Sequence, residues 1–122
     1  MRIMVSPVVL VVEDEPLVRL FASEIIEEDG FEVLQAADAT EAIVTLEARL
    51  DVRVVFTDVD MPGGIDGIML ALCIRERWPD IQIIITSGRP WPAETKLPND
   101  MVFFSKPYRQ DRVLETVRKM AA

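Results

Sequence analysis

Val8-Val9-Leu10-Val11-Val12-Glu13-Asp14, residues 8–14, is the stretch on which the fold turns: five apolar residues stop abruptly at two acids. A run so short, rich in β-branched residues and without polar alternation, reads as a strand buried on both faces, which means a parallel sheet between helices. Three more runs end in the same manner. Val54 to Thr57 stops at Asp58, Ile81 to Ile85 at Thr86, and Met101 to Ser105 at Lys106. In a parallel sheet the carboxyl ends of the strands lie along one edge, and ligands bind there where strand order reverses. The chain thus gathers several carboxylates, a Thr and a Lys in one crevice, a set suited to holding a divalent cation together with a phosphoryl group.

Helical patterns separate these runs. Pro16 opens a helix in which Leu17, Leu20, Phe21 and Ile25 recur at helical spacing until Gly30. Phe31 to Ala36 reads as the second strand. Asp38 with Glu41 three residues on forms a capping signal, and Ala39, Ala42, Ile43, Leu46 and Leu50 mark the buried stripe of the second helix. The third strand runs from about Arg53 to Asp58. A loop containing Met61-Pro62-Gly63-Gly64 leads to a helix that starts near Asp66 and carries Ile68, Leu72 and Arg75 towards Trp78-Pro79. Between the fourth and fifth strands Pro90, Pro92 and Pro98 predict a short or irregular fourth helix, with Trp91 either anchoring to the sheet edge or meeting a partner. The stretch Gly88 to Asp100 is accordingly expected to be the most mobile. Tyr108 to Met120 forms the closing helix, with Val113, Val117 and Met120 inward.

Composition narrows the function. At 122 residues, half of them hydrophobic, the expectation is one α/β domain over residues 1–122. No apolar stretch is long enough to span a bilayer and no cleavable leader pattern is present, so the expected location is the cytoplasm without membrane contact. The formal charge of −8 argues against a nucleic-acid surface. There is no histidine, and Cys73, the only cysteine, reads as a packed thiol.

The chemistry follows group by group. Mg²⁺ takes oxygen ligands in a near-octahedral shell, with one or two carboxylates, waters and a phosphate oxygen; Glu13, Asp14 and Asp58 supply such a shell. Two like charges about 4 Å apart repel by about 4 kcal/mol at an effective dielectric near 20, so these acids call for a cation or a proton. Asp58 is the candidate nucleophile towards phosphorus, Lys106 a point charge on the phosphoryl oxygens, and the Thr86 hydroxyl a donor to one of them. Taken singly, each has a plainer reading: a helix cap for an acid, a solvated loop residue for Lys106, a β-former for Thr86. Their shared position at one sheet edge favours the chemical reading.

Val12-Glu13-Asp14-Glu15, Asp58-Val59-Asp60-Met61-Pro62 with Asp66-Gly67, Thr86-Ser87-Gly88 and Ser105-Lys106-Pro107-Tyr108 together resemble the receiver domain of two-component response regulators over essentially the whole chain. The resemblance implies a doubly wound five-stranded parallel sheet of order 2-1-3-4-5, an order for which a chemotaxis receiver is a standing example. It further implies phosphoryl transfer from a sensor histidine kinase, a phosphotransfer protein or a small donor to Asp58. Asp14 and Asp58 would bind Mg²⁺ directly, Glu13 through water and Asp60 through its backbone carbonyl. Thr86 and Phe103 would act as switch residues, and Lys106-Pro107 would be a cis peptide. Outputs would be contacts with a downstream protein or a phosphorylation-dependent dimer, not turnover of a substrate. The chain departs from the family pattern in having Glu13 where two aspartates are common, and in an apparent extra residue at Gly63-Gly64.

Two other readings compete with this one. Asp58-Val59-Asp60 also resembles the Asp-x-Asp of haloacid-dehalogenase-type phosphatases, but there the nucleophile ends the first strand and an acidic pair follows the Lys, whereas here the pair precedes it. A non-phosphorylated binding module of the same fold is the other alternative.

Overall fold

The computed structural model describes residues 7–61, 63–88 and 100–122. In chain order the elements are β1 (Val8–Val12), α1 (Pro16–Glu28), β2 (Glu32–Ala36), α2 (Ala39–Ala48), β3 (Val52–Asp58), α3 (Gly67–Arg77), β4 (Gln82–Ser87), β5 (Val102–Ser105) and α4 (Gln110–Ala121). All four strand pairings are parallel, in the order β2-β1-β3-β4-β5. The chain runs outward from β1 to β2, returns to β3 on the other side of β1, and then continues one way. The reversal lies between β1 and β3, which places a crevice at the ends of those two strands.

Every residue of β1 is buried, as its unbroken apolar run requires. Alternate residues feed two cores. Val8, Leu10, Val12, Val55, Ile83 and Ile85 face α2 and α3, whereas Val9, Val11, Val54, Phe56 and Ile84 face α1 and α4. Phe103 and Phe104 divide in the same way, each half-buried against a different core.

The helix starts follow their local signals. Pro16 is the first residue of α1, and the Asp38 carboxylate accepts from the Glu41 amide at 2.8 Å. Asp66 caps α3 through the Met69 amide at 2.9 Å. Gly63 and Gly64 have φ of +91° and +80°, a conformation L side chains rarely adopt, so the backbone of this loop favours glycine at both positions. Lys106-Pro107 is cis, as the resemblance implied.

The structure sets which face of each helix is buried, and in α2 it corrects the expected stripe. In α1 the buried positions are Ala22, Ser23 and Ile26, while Leu17, Leu20 and Phe21 are exposed. In α2 the stripe holds for Ala39, Ala42 and Leu46, but the helix ends at Ala48 and Leu50 beyond it is solvent-facing. In α3 the inward face is Gly67, Leu70, Ala71 and Ile74, so Leu72 points outward. Cys73 is partly buried and free. The proline-rich stretch with Trp91, and the short or irregular helix expected there, lie outside the described residues. Among the described residues no helix is long and apolar enough to cross a membrane.

Candidate functional site

Strand alternation determines which side chains meet. Continuing the β1 pattern one residue past Val12 turns Glu13 to the α1/α4 side, shared with Val9 and Val11. Asp58 lies two residues beyond Phe56, Thr86 two beyond Ile84, and Lys106 two beyond Phe104, all of that side. Asp58 and Thr86 are register partners on β3 and β4. Backbone bonds carry the ladder past the strand ends and fix these residues: Glu13 N–H donates to Ala36 O at 3.0 Å, Val59 N–H to Thr86 O at 2.9 Å and Lys106 N–H to Ser87 O at 2.8 Å. The structure thus brings Glu13, Asp58, Thr86 and Lys106 around one cavity of about 10 Å³, room for about one water, together with Phe56 and Tyr108.

Glu13 and Asp58 are each only 6% exposed, while Asp14, next in the turn, is open to solvent. One carboxylate oxygen from each of the three acids lies within 4.8 Å of the other two. Lys106 Nζ stands 3.4 Å from Glu13 Oε1 and 3.2 Å from Asp58 Oδ1. A single ammonium serves both buried acids, and Glu13 Oε2, also buried, has no hydrogen-bond partner among the described residues. Burial first, then the Asp58 charge, pushes the Glu13 carboxyl up to about 7, against the opposing pull of Lys106. For Lys106 burial favours the neutral amine, but Asp58 and Glu13 together outweigh it and raise its pKa. Burial likewise raises that of Tyr108, whose ring packs edge-on to Phe56 at 5.9 Å and Phe104 at 6.5 Å and walls the site.

These donors fit a hard divalent cation. All are carboxylate oxygens, their negative charge exceeds what Lys106 neutralises, and two buried oxygens, Glu13 Oε2 and Asp58 Oδ1, accept no hydrogen bond among the described residues. Mg²⁺ held at Glu13, Asp14 and Asp58 would remove both deficits. Asp60 is exposed in the loop after β3, and its carboxylate is outside the three-acid cluster. Phe103 sits on the other side of the sheet, half-buried against the α2/α3 core.

Sequence reasoning missed Arg19. Its Nη1 donates to the Glu13 carbonyl at 2.8 Å and its Nε to Gln35 Oε1 at 3.2 Å, tying the acidic turn to α1 and β2. The available signal was its position one helical turn after Glu15, which points it back over the strand end.

The fold and site define a class, and comparison with known proteins agrees. The response regulator receiver domain model matches residues 9–118, and the chain belongs to that family. Its role is that of a phosphoacceptor receiver domain; the phosphatase and the non-phosphorylated module are not favoured. The family is a signalling domain that works with histidine kinases or phosphotransfer proteins. The chain is 34% identical over 123 residues to the sensor kinase CckA of Brucella abortus, covering 94% of this chain but 12% of the kinase. It superposes on the receiver domain of a hybrid histidine kinase CckA with a TM-score of 0.77 at 32% identity, covering 94% and 99% of the two chains. The response regulator TrrA of Thermotoga maritima, solved in complex with Mg²⁺ and beryllium fluoride, gives 0.77 at 29% identity over 93% and 97%.

Proposed function

We propose that Asp58 is the residue that accepts the phosphoryl group, with Mg²⁺ held by Asp14, Asp58, the Asp60 carbonyl and, through water, Glu13. The observation that carries this reading is the convergence of Glu13, Asp58, Thr86 and Lys106 on one face of the sheet beside a buried oxygen without a partner. That the relative TrrA is solved in complex with Mg²⁺ and beryllium fluoride supports a metal-dependent reading of this site.

Bound Mg²⁺ would offset charge on the carboxylates and the incoming phosphoryl oxygens. An Asp58 carboxylate oxygen forms the new P–O bond as the P–N bond of a phosphohistidine breaks, and the imidazole leaves with its electron pair. Lys106 exchanges its contact with Glu13 and Asp58 for the phosphoryl oxygens. The Thr86 hydroxyl turns to donate to one of them, and Phe103 on the neighbouring strand is the second switch residue. A downstream protein or a second phosphorylated copy reads the result.

The donor protein docks on α1. Leu17, Val18, Leu20 and Phe21 expose a contiguous apolar surface there, and Val18 and Phe21 line a 290 Å³ cleft with Lys106, Pro107, Tyr108 and Gln110. Lys106 belongs to both this cleft and the acidic site.

Acetyl phosphate with Mg²⁺ should add one phosphoryl group, seen by intact mass, and peptide mapping should place it at Asp58. Asp58→Asn should stay folded and unlabelled. Undiminished labelling of the Asn variant sinks the assignment.

A further inference from the structure

The first turn of α3 rests on the backbone of the acceptor residue. A Cβ built on Gly67 would lie 2.0 Å from the Asp58 carbonyl oxygen, 2.8 Å from its carbonyl carbon and 2.9 Å from Val59 Cα. Real Cβ contacts essentially never fall below 3.0 Å, so any side chain here forces backbone apart by about 1 Å. No flexible group is available to yield, because all three neighbours are main chain. Gly67 φ is negative, so what requires glycine is the close approach and not an unusual dihedral.

The same contact closes the loop that carries Asp60. Gly67 N–H donates to Val59 O at 2.8 Å, while Val59 N–H donates across to Thr86 O at 2.9 Å. The Thr57 hydroxyl donates to the Asp58 carbonyl at 3.0 Å, the same oxygen that Gly67 covers. Asp66 anchors this turn by capping the Met69 amide. The acceptor strand, the loop after it and Thr86 thus share one backbone junction with the α3 N-terminus.

We propose that Gly67 is a positioning residue for phosphoryl acceptance: its bare Cα lets α3 seat directly on Asp58, which sets where the Asp58 carboxylate and the Asp60 backbone stand relative to Glu13, Asp14 and Lys106. This rests on the reading of Asp58 as acceptor. Displacement of reacting groups by about 1 Å can lower a rate on the order of a hundredfold, well beyond what a loss of stability alone does to a molecule that remains folded.

The test compares Gly67→Ala with Val117→Ala, a cavity in the core beneath α4 that lowers stability without touching the junction. Both are assayed where far-UV circular dichroism shows them folded, for acetyl phosphate labelling rate and for the Mg²⁺ concentration that raises Tm halfway. Gly67→Ala should label at least about tenfold more slowly and need more Mg²⁺, and Val117→Ala should stay within about twofold of wild type. If Gly67→Ala does not fold, Asp66→Ala and Asp66→Asn decide. Loss of the cap should slow labelling about threefold, and Asn, which caps without charge, should restore it. A folded Gly67→Ala with wild-type rate and Mg²⁺ midpoint overturns the proposal, as does an Asp66→Ala that labels normally or is not rescued by Asn. Should wild type itself take up no phosphoryl group, the acceptor assignment fails, and the Mg²⁺ midpoints still decide the role of Gly67.

Discussion

The two sides of the sheet differ in chemistry although the same five strands build both. On the α2/α3 side the strand ends carry no charge: Val12, Ala36 and Ile85 are apolar and fully packed, and Thr57, Ser87 and Ser105 beside them are neutral hydroxyls. On the α1/α4 side the equivalent ends are Glu13, Asp58, Thr86 and Lys106. One face is insulation and the other holds charge at its rim. An apolar strand end gains about 25 cal/mol per Å² buried, whereas a buried carboxylate costs several kcal/mol unless paired. The α1/α4 rim therefore lowers stability in the metal-free state, a cost that persists where function requires it.

The largest effect that sharpens this contrast is in pH. The Glu13 carboxyl, raised to about 7 in the fold from 4.5, binds a proton in the native state over a range where the unfolded chain has released it. Unfolding free energy then falls as pH rises from about 4.5 to about 7, by on the order of 3 kcal/mol if this group acts alone. Glu13→Gln should flatten that part of the metal-free stability profile in chemical denaturation. A Gln variant with the wild-type slope breaks the assignment of the slope to this rim. Mg²⁺ needs the ionised carboxylates, so its stabilising effect should grow over the same window.

Metal addition comes next in size. At ten times its Kd, Mg²⁺ stabilises by about 1.4 kcal/mol, a Tm rise of several degrees for a domain of this length. Asp14→Asn should reduce the response and, by relieving repulsion, leave the metal-free protein no less stable. Ile85→Val, on the insulated side, should lower Tm at every Mg²⁺ concentration by the same amount. A response to Mg²⁺ that Ile85→Val alters and Asp14→Asn does not would reverse the roles of the two sides.

Much of this contrast is legible in the amino-acid sequence. The strands are readable because burial on both faces removes polar alternation, and the site because strand ends with period two put Glu13, Asp58, Thr86 and Lys106 on one side. Helix faces are less legible. In α1 the apolar residues Leu17, Leu20 and Phe21 recur at helical spacing yet face solvent, since Ala22, Ser23 and Ile26 occupy the seat against the sheet. Periodicity reports an apolar stripe without saying whether it meets a core or a partner. In α3 apolar residues lie on both faces, Leu70, Ala71 and Ile74 inward and Met69 and Leu72 outward, so no single stripe marks the seat. Arg19 leaves only its position one helical turn after Glu15 as a signal, because it acts on a carbonyl, which no side-chain motif records.

The smallest effect on stability separates the exposed apolar surfaces of the two sides. Phe21 on α1 lines the cleft that includes Lys106 and Leu17 is exposed one helical turn before it, whereas Val44 on α2 lines a 280 Å³ groove with Ile43, Ile65 and Cys73 that includes none of the acids. Replacing an exposed apolar residue by serine changes stability by less than about 0.5 kcal/mol, so all three serine variants should melt with wild type. Small donors need no docking surface, and acetyl phosphate labelling should be unchanged in each. On the proposed reading, a phosphorylated histidine phosphotransfer domain buries apolar area on α1 as it brings its imidazole to Asp58. Leu17→Ser and Phe21→Ser should therefore slow transfer from it about tenfold, equivalent to about 1.4 kcal/mol of lost interface energy. Val44→Ser should transfer as wild type does. Equal slowing by Val44→Ser and Phe21→Ser would show that the donor does not distinguish the two sides, and docking on α1 would have to be abandoned.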